Sequence, residues 1–170
     1  QSRKNLFALN AVKMLFTKGY SANHTKMEKY VDLHSHTNAS DGTFSPADLL
    51  KLAKKKKLSA LAVTDHDTVA GIPAAEKEAE KQGIELVKGV EITCDDPNTG
   101  TIDIHVLGLF IDNHSSQLQK LLAESQKHRI EQKKAIIKKL QEFGIKITYA
   151  EVIKESNGGV TGRPHIARVA

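Results

Sequence analysis

The chain of 170 residues is long enough for one domain with a hydrophobic core, and its composition of 39% hydrophobic and 26% charged residues is typical of a globular protein. No apolar stretch approaches the roughly 18 residues that a membrane span requires, and the single cysteine, Cys94, excludes an internal disulfide. These features predict a cytoplasmic protein in a reducing compartment, without a membrane partner.

The formal charge of +5 is concentrated at the N-terminus. Residues 1–29 contain six Lys or Arg and one acidic residue, whereas residues 30–170 contain equal numbers of basic and acidic residues. A neutral body carries no signal for duplex DNA binding. The basic segment 1–29 is typical of a transit peptide or of extra N-terminal sequence before Met27, so we interpret it as an N-terminal extension outside the fold.

From residue 30 onwards, β-rich apolar runs alternate with helical segments. The apolar runs predict strands at Tyr30–Leu33, Ala60–Thr64, Glu85–Thr93 and Ile102–Phe110. Ser45, Pro46 and Asp48 form the start signal of a helix between the first two strands. A second helix is predicted from Pro73 to Gly83. Strands that alternate with helices in this way predict an α/β fold with a mostly parallel sheet.

The second part of the chain is helical in character. The polar stretch Ser115–Phe143 predicts a long helix with one break, and the T-x-x-E pattern of Thr148–Glu151 predicts the start of a short helix. A last helix is predicted from Arg163. We divide the chain into residues 30–111, the first part of an α/β barrel, and residues 112–170, a helical insertion that is cut off at its C-terminal end.

Side chains that can bind metals follow the predicted strands. They are His34 and His36 after the first strand, Asp41 in the next loop, His66 after the second strand, Glu91 in the third and His105 in the fourth. His34 and His36 are two residues apart, so they point to the same side of an extended chain. Because ligands bind beyond the carboxyl ends of parallel strands, we predict that these side chains converge on one multinuclear metal site.

The motifs in these positions resemble those of the PHP (polymerase and histidinol phosphatase) family of metal-dependent phosphoesterases. The segments DLHSHTNASDG, AVTDHDT, GVE and IHVLG occur in the order of that family. The long helix with Arg129 and the segment VTGRPHIARVA are similar to the branch that hydrolyses nucleoside 3′,5′-bisphosphates and short 5′-phosphorylated RNA. The resemblance implies a partial, distorted (β/α)7 barrel with a helical insertion, and a small nucleotide or short RNA as substrate.

The resemblance also implies roles for individual residues. The positions that match metal ligands of the family are His34, His36, Asp41, His66, Glu91 and His105. Of these, His66 and Glu91 are expected to be required for catalysis, whereas Arg163 and His165 are expected to contact the substrate. The complete site implies two or three divalent ions, and its histidine-rich donor set favours Mn²⁺, Fe²⁺ or Zn²⁺ over Mg²⁺.

Two other functions stay open at this point. The same family supplies proofreading exonuclease domains of DNA polymerases, and a metal-binding module without catalysis would keep the same ligands. Family members also carry an Ala-His-Pro segment and a late Asp-x-His pair, neither of which follows the insertion in these 170 residues. We therefore interpret the chain as the N-terminal portion of a longer enzyme and expect these residues alone to show no measurable activity.

Overall fold

The structure, a computed structural model, describes residues 30–96 and 101–170, so the predicted extension 1–29 lies outside the described residues. The strands are β1 (Tyr30–Asp32), β2 (Leu58–Val63), β3 (Glu85–Asp96) and β4 (Thr101–Leu109). The helices are α1 (Pro46–Lys55), α2 (Ile72–Gln82), α3 (Ser116–Glu142), α4 (Tyr149–Glu155) and α5 (Arg163–Val169). Among these helices, none combines the length and apolarity needed to cross a membrane.

The first three strands form the predicted α/β unit. They lie in the order β1-β2-β3, all parallel, with α1 and α2 as the connecting helices. Ser45 begins α1 by accepting a hydrogen bond from the N–H of Asp48 at 3.1 Å, and Gly83 ends α2 with a left-handed φ of 62°. The hydrophobic core of this unit consists of Leu50, Ala53, Leu61, Val63, Ala75, Ala79 and Ile84.

The fourth strand runs antiparallel to β3. The placement of His105 at the carboxyl end of a parallel strand is therefore wrong. The link between β3 and β4 is residues 97–100, whereas a parallel crossover needs about a dozen residues. The register pairs His105 with Thr93, two residues beyond Glu91. Because residues two apart on a strand share a face, His105 lies on the same face of the sheet as Glu91.

The helical segment is built on α3, which is continuous over 27 residues. The predicted break is wrong, because α3 contains neither glycine nor proline and has buried side chains at Leu122, Arg129, Lys133 and Ile137. The predicted start of α4 is confirmed as a reciprocal capping box between Thr148 and Glu151. A second, small hydrophobic core joins α3, α4 and α5 through Ile137, Ile147, Val152 and Ile166.

The loop between α4 and α5 packs directly on the loop that follows β1. The N–H of Val160 donates a hydrogen bond to the carbonyl oxygen of Ala39 at 2.9 Å. A Cβ at Gly159 would overlap the carbonyl oxygen of Asn38, so the close approach of the two backbones requires glycine at this position. The helical segment is therefore fastened to the loop that carries His36 and Asp41.

Gly159→Ala tests this backbone contact against Gly158→Ala as a matched control. Gly158 has a φ of +87°, and a Cβ there has open space within 4 Å, so its replacement introduces backbone strain of about 1 kcal/mol. Gly159 lacks a positive φ, but a Cβ there must displace a backbone carbonyl, so we expect Gly159→Ala to lower the free energy of unfolding by roughly 2–4 kcal/mol. Urea unfolding measures both values, and equal losses in the two variants would contradict a tight contact at Gly159.

Candidate metal centre

The side chains predicted as metal ligands lie together around the buried carboxylate of Glu91, which is 4% exposed. Its Oε2 lies 3.0 Å from His34 Nε2, 3.0 Å from His36 Nε2 and 3.5 Å from His66 Nδ1, and its Oε1 lies 2.8 Å from His105 Nδ1. The structure thus brings four imidazoles, from the segments after β1 and β2 and from β4, to one carboxylate on β3. The side chain of His34 is 47% exposed, so the cluster has an open side.

The sixth predicted residue, Asp41, lies on the other side of the rings of His36 and His66. Its Oδ1 is 3.6 Å from His36 Nδ1, and its Oδ2 is 3.6 Å from His66 Nε2. The donors form three overlapping sets, and within each set the ligand atoms lie within 4.8 Å of one another: His34, His36 and Glu91; His36, Asp41 and His66; His66, Glu91 and His105. Overlapping sets that share ligands are the arrangement of a centre for more than one ion.

The separations within the first set fit a bound cation. The Nε2 atoms of His34 and His36 and the Oε2 atom of Glu91 are each 3.0 Å from the other two. Adjacent ligands of an octahedral ion with bonds of about 2.1 Å are about 3.0 Å apart. Beside this set, Nδ1 of His66 is buried and has no hydrogen-bond partner among the described residues. A buried ring nitrogen without a hydrogen-bond partner is a group that a metal ion would satisfy.

Burial and charge place two of these groups in the protonation state that a metal ligand needs. Burial and the positive charge of Arg129 lower the pKa of His66 to about 4. Burial raises the pKa of Glu91, whereas the hydrogen bond from His34 and the neighbouring imidazoles lower it. The lowering effects are together larger, so the net pKa is below its ordinary value. At neutral pH, His66 is therefore a neutral imidazole and Glu91 is a carboxylate.

Two buried aspartates flank His66, and neither was predicted as a site residue. Asp65 accepts hydrogen bonds from the N–H of Thr37 (2.7 Å), the hydroxyl of Thr37 (2.7 Å) and the hydroxyl of Ser40 (2.6 Å). Asp67 accepts from the N–H and the hydroxyl of Thr93, each at 2.8 Å. Acidic residues on both sides of a candidate ligand at the end of a buried strand are the signal that would have identified them.

The two residues predicted to contact the substrate lie at the start of α5. Arg163 is exposed, whereas His165 is buried and its Nδ1 accepts a hydrogen bond from the N–H of Gly162 at 2.8 Å. Burial and Arg168 lower the pKa of His165. A Cβ at Gly162 would lie 2.8 Å from Oδ2 of Asp41, so α5 begins next to the cluster. The substrate contacts of both residues stay predictions, and for His165 only Nε2 is available for one.

The metal-free protein should lose stability on acidification because of His66. The pKa of His66 is 6.5 in the unfolded chain and about 4 in the folded protein. Between these pH values the imidazole is protonated in the unfolded chain and neutral in the folded protein. The free energy of unfolding therefore falls as the pH is lowered through this range. We expect a smaller fall for His66→Gln over the same range. Urea unfolding from pH 7.5 to 4.5 in the presence of a chelator measures both, and equal falls would contradict the assignment.

Glu91 should contribute most to metal affinity, because its carboxylate is the negative group shared by two of the three donor sets. Glu91→Gln keeps the shape of the side chain and removes the charge, so we expect Mn²⁺ affinity to fall by roughly 10- to 100-fold. His128→Ala is the control, since the side chain of His128 is 79% exposed and outside the donor sets. Calorimetric titration measures the affinities, and equal affinity in Glu91→Gln and the parent would exclude Glu91 as a ligand.

Comparisons with known proteins agree with this geometry. The PHP domain family matches residues 32–167. The 5′-3′ exoribonuclease Rnm of Salmonella typhimurium is 36% identical over 152 residues, which are 88% of this chain and 51% of that protein. The 3′,5′-nucleoside bisphosphate phosphatase of Chromobacterium violaceum is 30% identical over 139 residues, 81% of this chain and 48% of that protein.

A solved structure shares the fold. A candidate metal-dependent phosphoesterase from Bifidobacterium adolescentis superposes with a TM-score of 0.72 at 33% sequence identity, covering 83% of this chain and 49% of that one. The chain thus spans about half the length of the relatives that it matches. The α/β half-barrel with its helical insertion is the fold that the motifs predicted, and the chain belongs to the PHP domain family.

Proposed function

We propose that the protein hydrolyses phosphate esters of small nucleotides in a reaction that depends on divalent metal ions. The observation that carries the proposal is the position of Glu91, whose buried carboxylate lies within 3.5 Å of imidazole nitrogens from four histidines. A cluster with this many neutral and anionic donors has the chemistry of a metal centre. Membership of the PHP domain family supports the same reaction class.

We assign the ions to the predicted ligands His34, His36, Asp41, His66, Glu91 and His105. Divalent ions bound there would offset the negative charge of the phosphoryl oxygens and lower the pKa of the attacking water. Because the set is rich in imidazole, we propose Mn²⁺, Fe²⁺ or Zn²⁺ rather than Mg²⁺, with two or three ions in the complete site.

The residues of the candidate site have different roles in the proposed reaction. Glu91 and Asp41 supply the negative charge that holds cations, and His66 stays neutral at pH 7 because burial lowers its pKa to about 4. The exposed edge at His34 is the side from which a substrate can approach. Hydrolysis then breaks the bond between phosphorus and the ester oxygen, the water oxygen ends on the released phosphate, and the alcohol takes up a proton.

The substrate we propose first is a nucleoside 3′,5′-bisphosphate, and the second is short 5′-phosphorylated RNA. The 30% identity to the phosphatase from Chromobacterium violaceum supports the first, and the 36% identity to the exoribonuclease from Salmonella typhimurium supports the second. We propose that Arg163 binds a phosphate of either substrate with its guanidinium group, because it follows Gly162, which packs against Asp41.

His66→Ala should abolish the reaction with little loss of folding. The assay is release of phosphate from adenosine 3′,5′-bisphosphate and of nucleotides from short 5′-phosphorylated RNA, with Mn²⁺ and with excess chelator. It uses a protein that carries this chain and the Ala-His-Pro and Asp-x-His motifs of the family. Exposed His128 supplies the control variant His128→Ala, for which we expect unchanged turnover.

The 170-residue chain assayed alongside provides a second comparison. Compared with the longer protein, this chain lacks the Ala-His-Pro and late Asp-x-His motifs. Loss of one stabilising group typically lowers the rate by roughly 10²- to 10³-fold, so we expect no measurable turnover from the shorter chain. Unchanged turnover in His66→Ala would refute the site assignment. Turnover on single-stranded DNA but not on ribonucleotides would instead favour the DNA exonuclease function.

A further inference from the structure

A guanidinium group from the helical insertion reaches the segment that carries His66. Arg129 of α3 is 4% exposed. Its Nε donates a hydrogen bond to Oδ2 of Asp67 at 2.8 Å, and its Nη2 donates to the hydroxyl of Thr93 at 2.6 Å. Gln126, one helical turn earlier, donates its side-chain N–H to the backbone carbonyl of Asp67 at 2.7 Å. Both the side chain and the backbone of Asp67 are therefore held by α3.

Asp67 has a conformation that needs such support. Its φ is +51°, in the left-handed region that residues with a Cβ rarely adopt. Its N–H donates to the carbonyl oxygen of Glu91 at 2.9 Å, and its carboxylate accepts from Thr93 on the same strand. A strained backbone persists only where the surroundings over-determine it. Because Asp67 follows His66 directly, the conformation of Asp67 sets the direction of the chain that carries His66.

We propose that Arg129 is a positioning residue of the metal centre: it holds Asp67 in its left-handed conformation and so fixes the imidazole of His66 towards Glu91 and Asp41. The proposal rests on the proposed function, in which His66 is a metal ligand. It makes α3 a part of the metal centre, although α3 contributes no ligand among the described residues. Desolvation of the two charges offsets much of their attraction in a buried ion pair, so the pair between Arg129 and Asp67 is not by itself evidence of net stabilisation.

Two other roles for Arg129 predict different behaviour. An arginine that binds a substrate phosphate needs N–H groups that face an open cleft, whereas Nε and Nη2 of Arg129 are engaged within the protein. An arginine that acts through charge alone would repel cations from the cluster, so its removal would raise metal affinity. Positioning predicts the opposite sign, because a displaced His66 is lost as a ligand.

The test compares three variants of the chain by calorimetric titration with Mn²⁺. In Arg129→Met, we expect the affinity to fall by roughly tenfold or more. In Arg129→Lys, which keeps the charge but lacks the planar fork that reaches both Asp67 and Thr93, we expect a smaller fall. Leu122→Ala is the matched control, since Leu122 is a buried residue of the same helix that is 2% exposed. It should destabilise the protein and leave the affinity of the folded fraction unchanged.

Amide hydrogen exchange of metal-free protein supplies a readout that does not depend on metal. The N–H of Asp67 should exchange roughly tenfold faster or more in Arg129→Met than in Leu122→Ala at matched global stability. Equal protection in the two variants, a higher Mn²⁺ affinity in Arg129→Met, or an equal fall in affinity in Leu122→Ala would each overturn the proposal. Absence of Mn²⁺ binding in the unaltered chain would refute the proposed function, while the exchange of Asp67 would still decide whether Arg129 locks this segment.

Discussion

The candidate metal centre depends on the hydrogen bonds that protein groups donate to two buried carboxylates, Asp65 and Asp67, on either side of His66. A buried anion without partners costs several kcal/mol, so each must be surrounded by donors from elsewhere in the chain. Asp65 accepts hydrogen bonds from the loop after β1, and Asp67 accepts them from β3 and α3. Three separate parts of the chain are thereby fixed relative to one imidazole.

Within that frame, Glu91 determines the electrostatics of the cluster. It lies in the middle of β3, where its carboxylate contacts imidazoles of β4 and of the segments that follow β1 and β2. Burial raises its pKa, while the hydrogen bond from His34 and the electrostatic influence of the neighbouring imidazoles lower it, and the net pKa is below the ordinary value. Because Glu91 belongs to two of the three donor sets, its carboxylate can attract more than one cation. Binding of cations would then stabilise the folded state by mass action.

Features that depend on neighbouring residues were predicted from the sequence more accurately than features that depend on distant parts of the chain. The caps at Ser45 and Thr148 and the glycine that ends α2 were correctly predicted, because each depends on residues within one helical turn. The break in α3 was wrongly predicted from its polar composition, since buried contacts along its length support a continuous helix. The direction of β4 was missed because His105 was placed with the ligands at the carboxyl ends of parallel strands, although a link of four residues is too short for a parallel crossover.

The sequence by itself determined which donors the site has and in which order the strands carry them, because the spacing of His34 and His36 and the positions of His66, Glu91 and His105 on apolar runs are local properties of the chain. Tertiary structure alone decided which atoms meet. The antiparallel register of β3 and β4 sets His105 beside Glu91, and the partners of Asp65, Asp67 and Arg129 come from segments far apart in the chain. These pairings follow from the requirement that every buried charge find a partner, and such a partner can be identified only once the chain has folded.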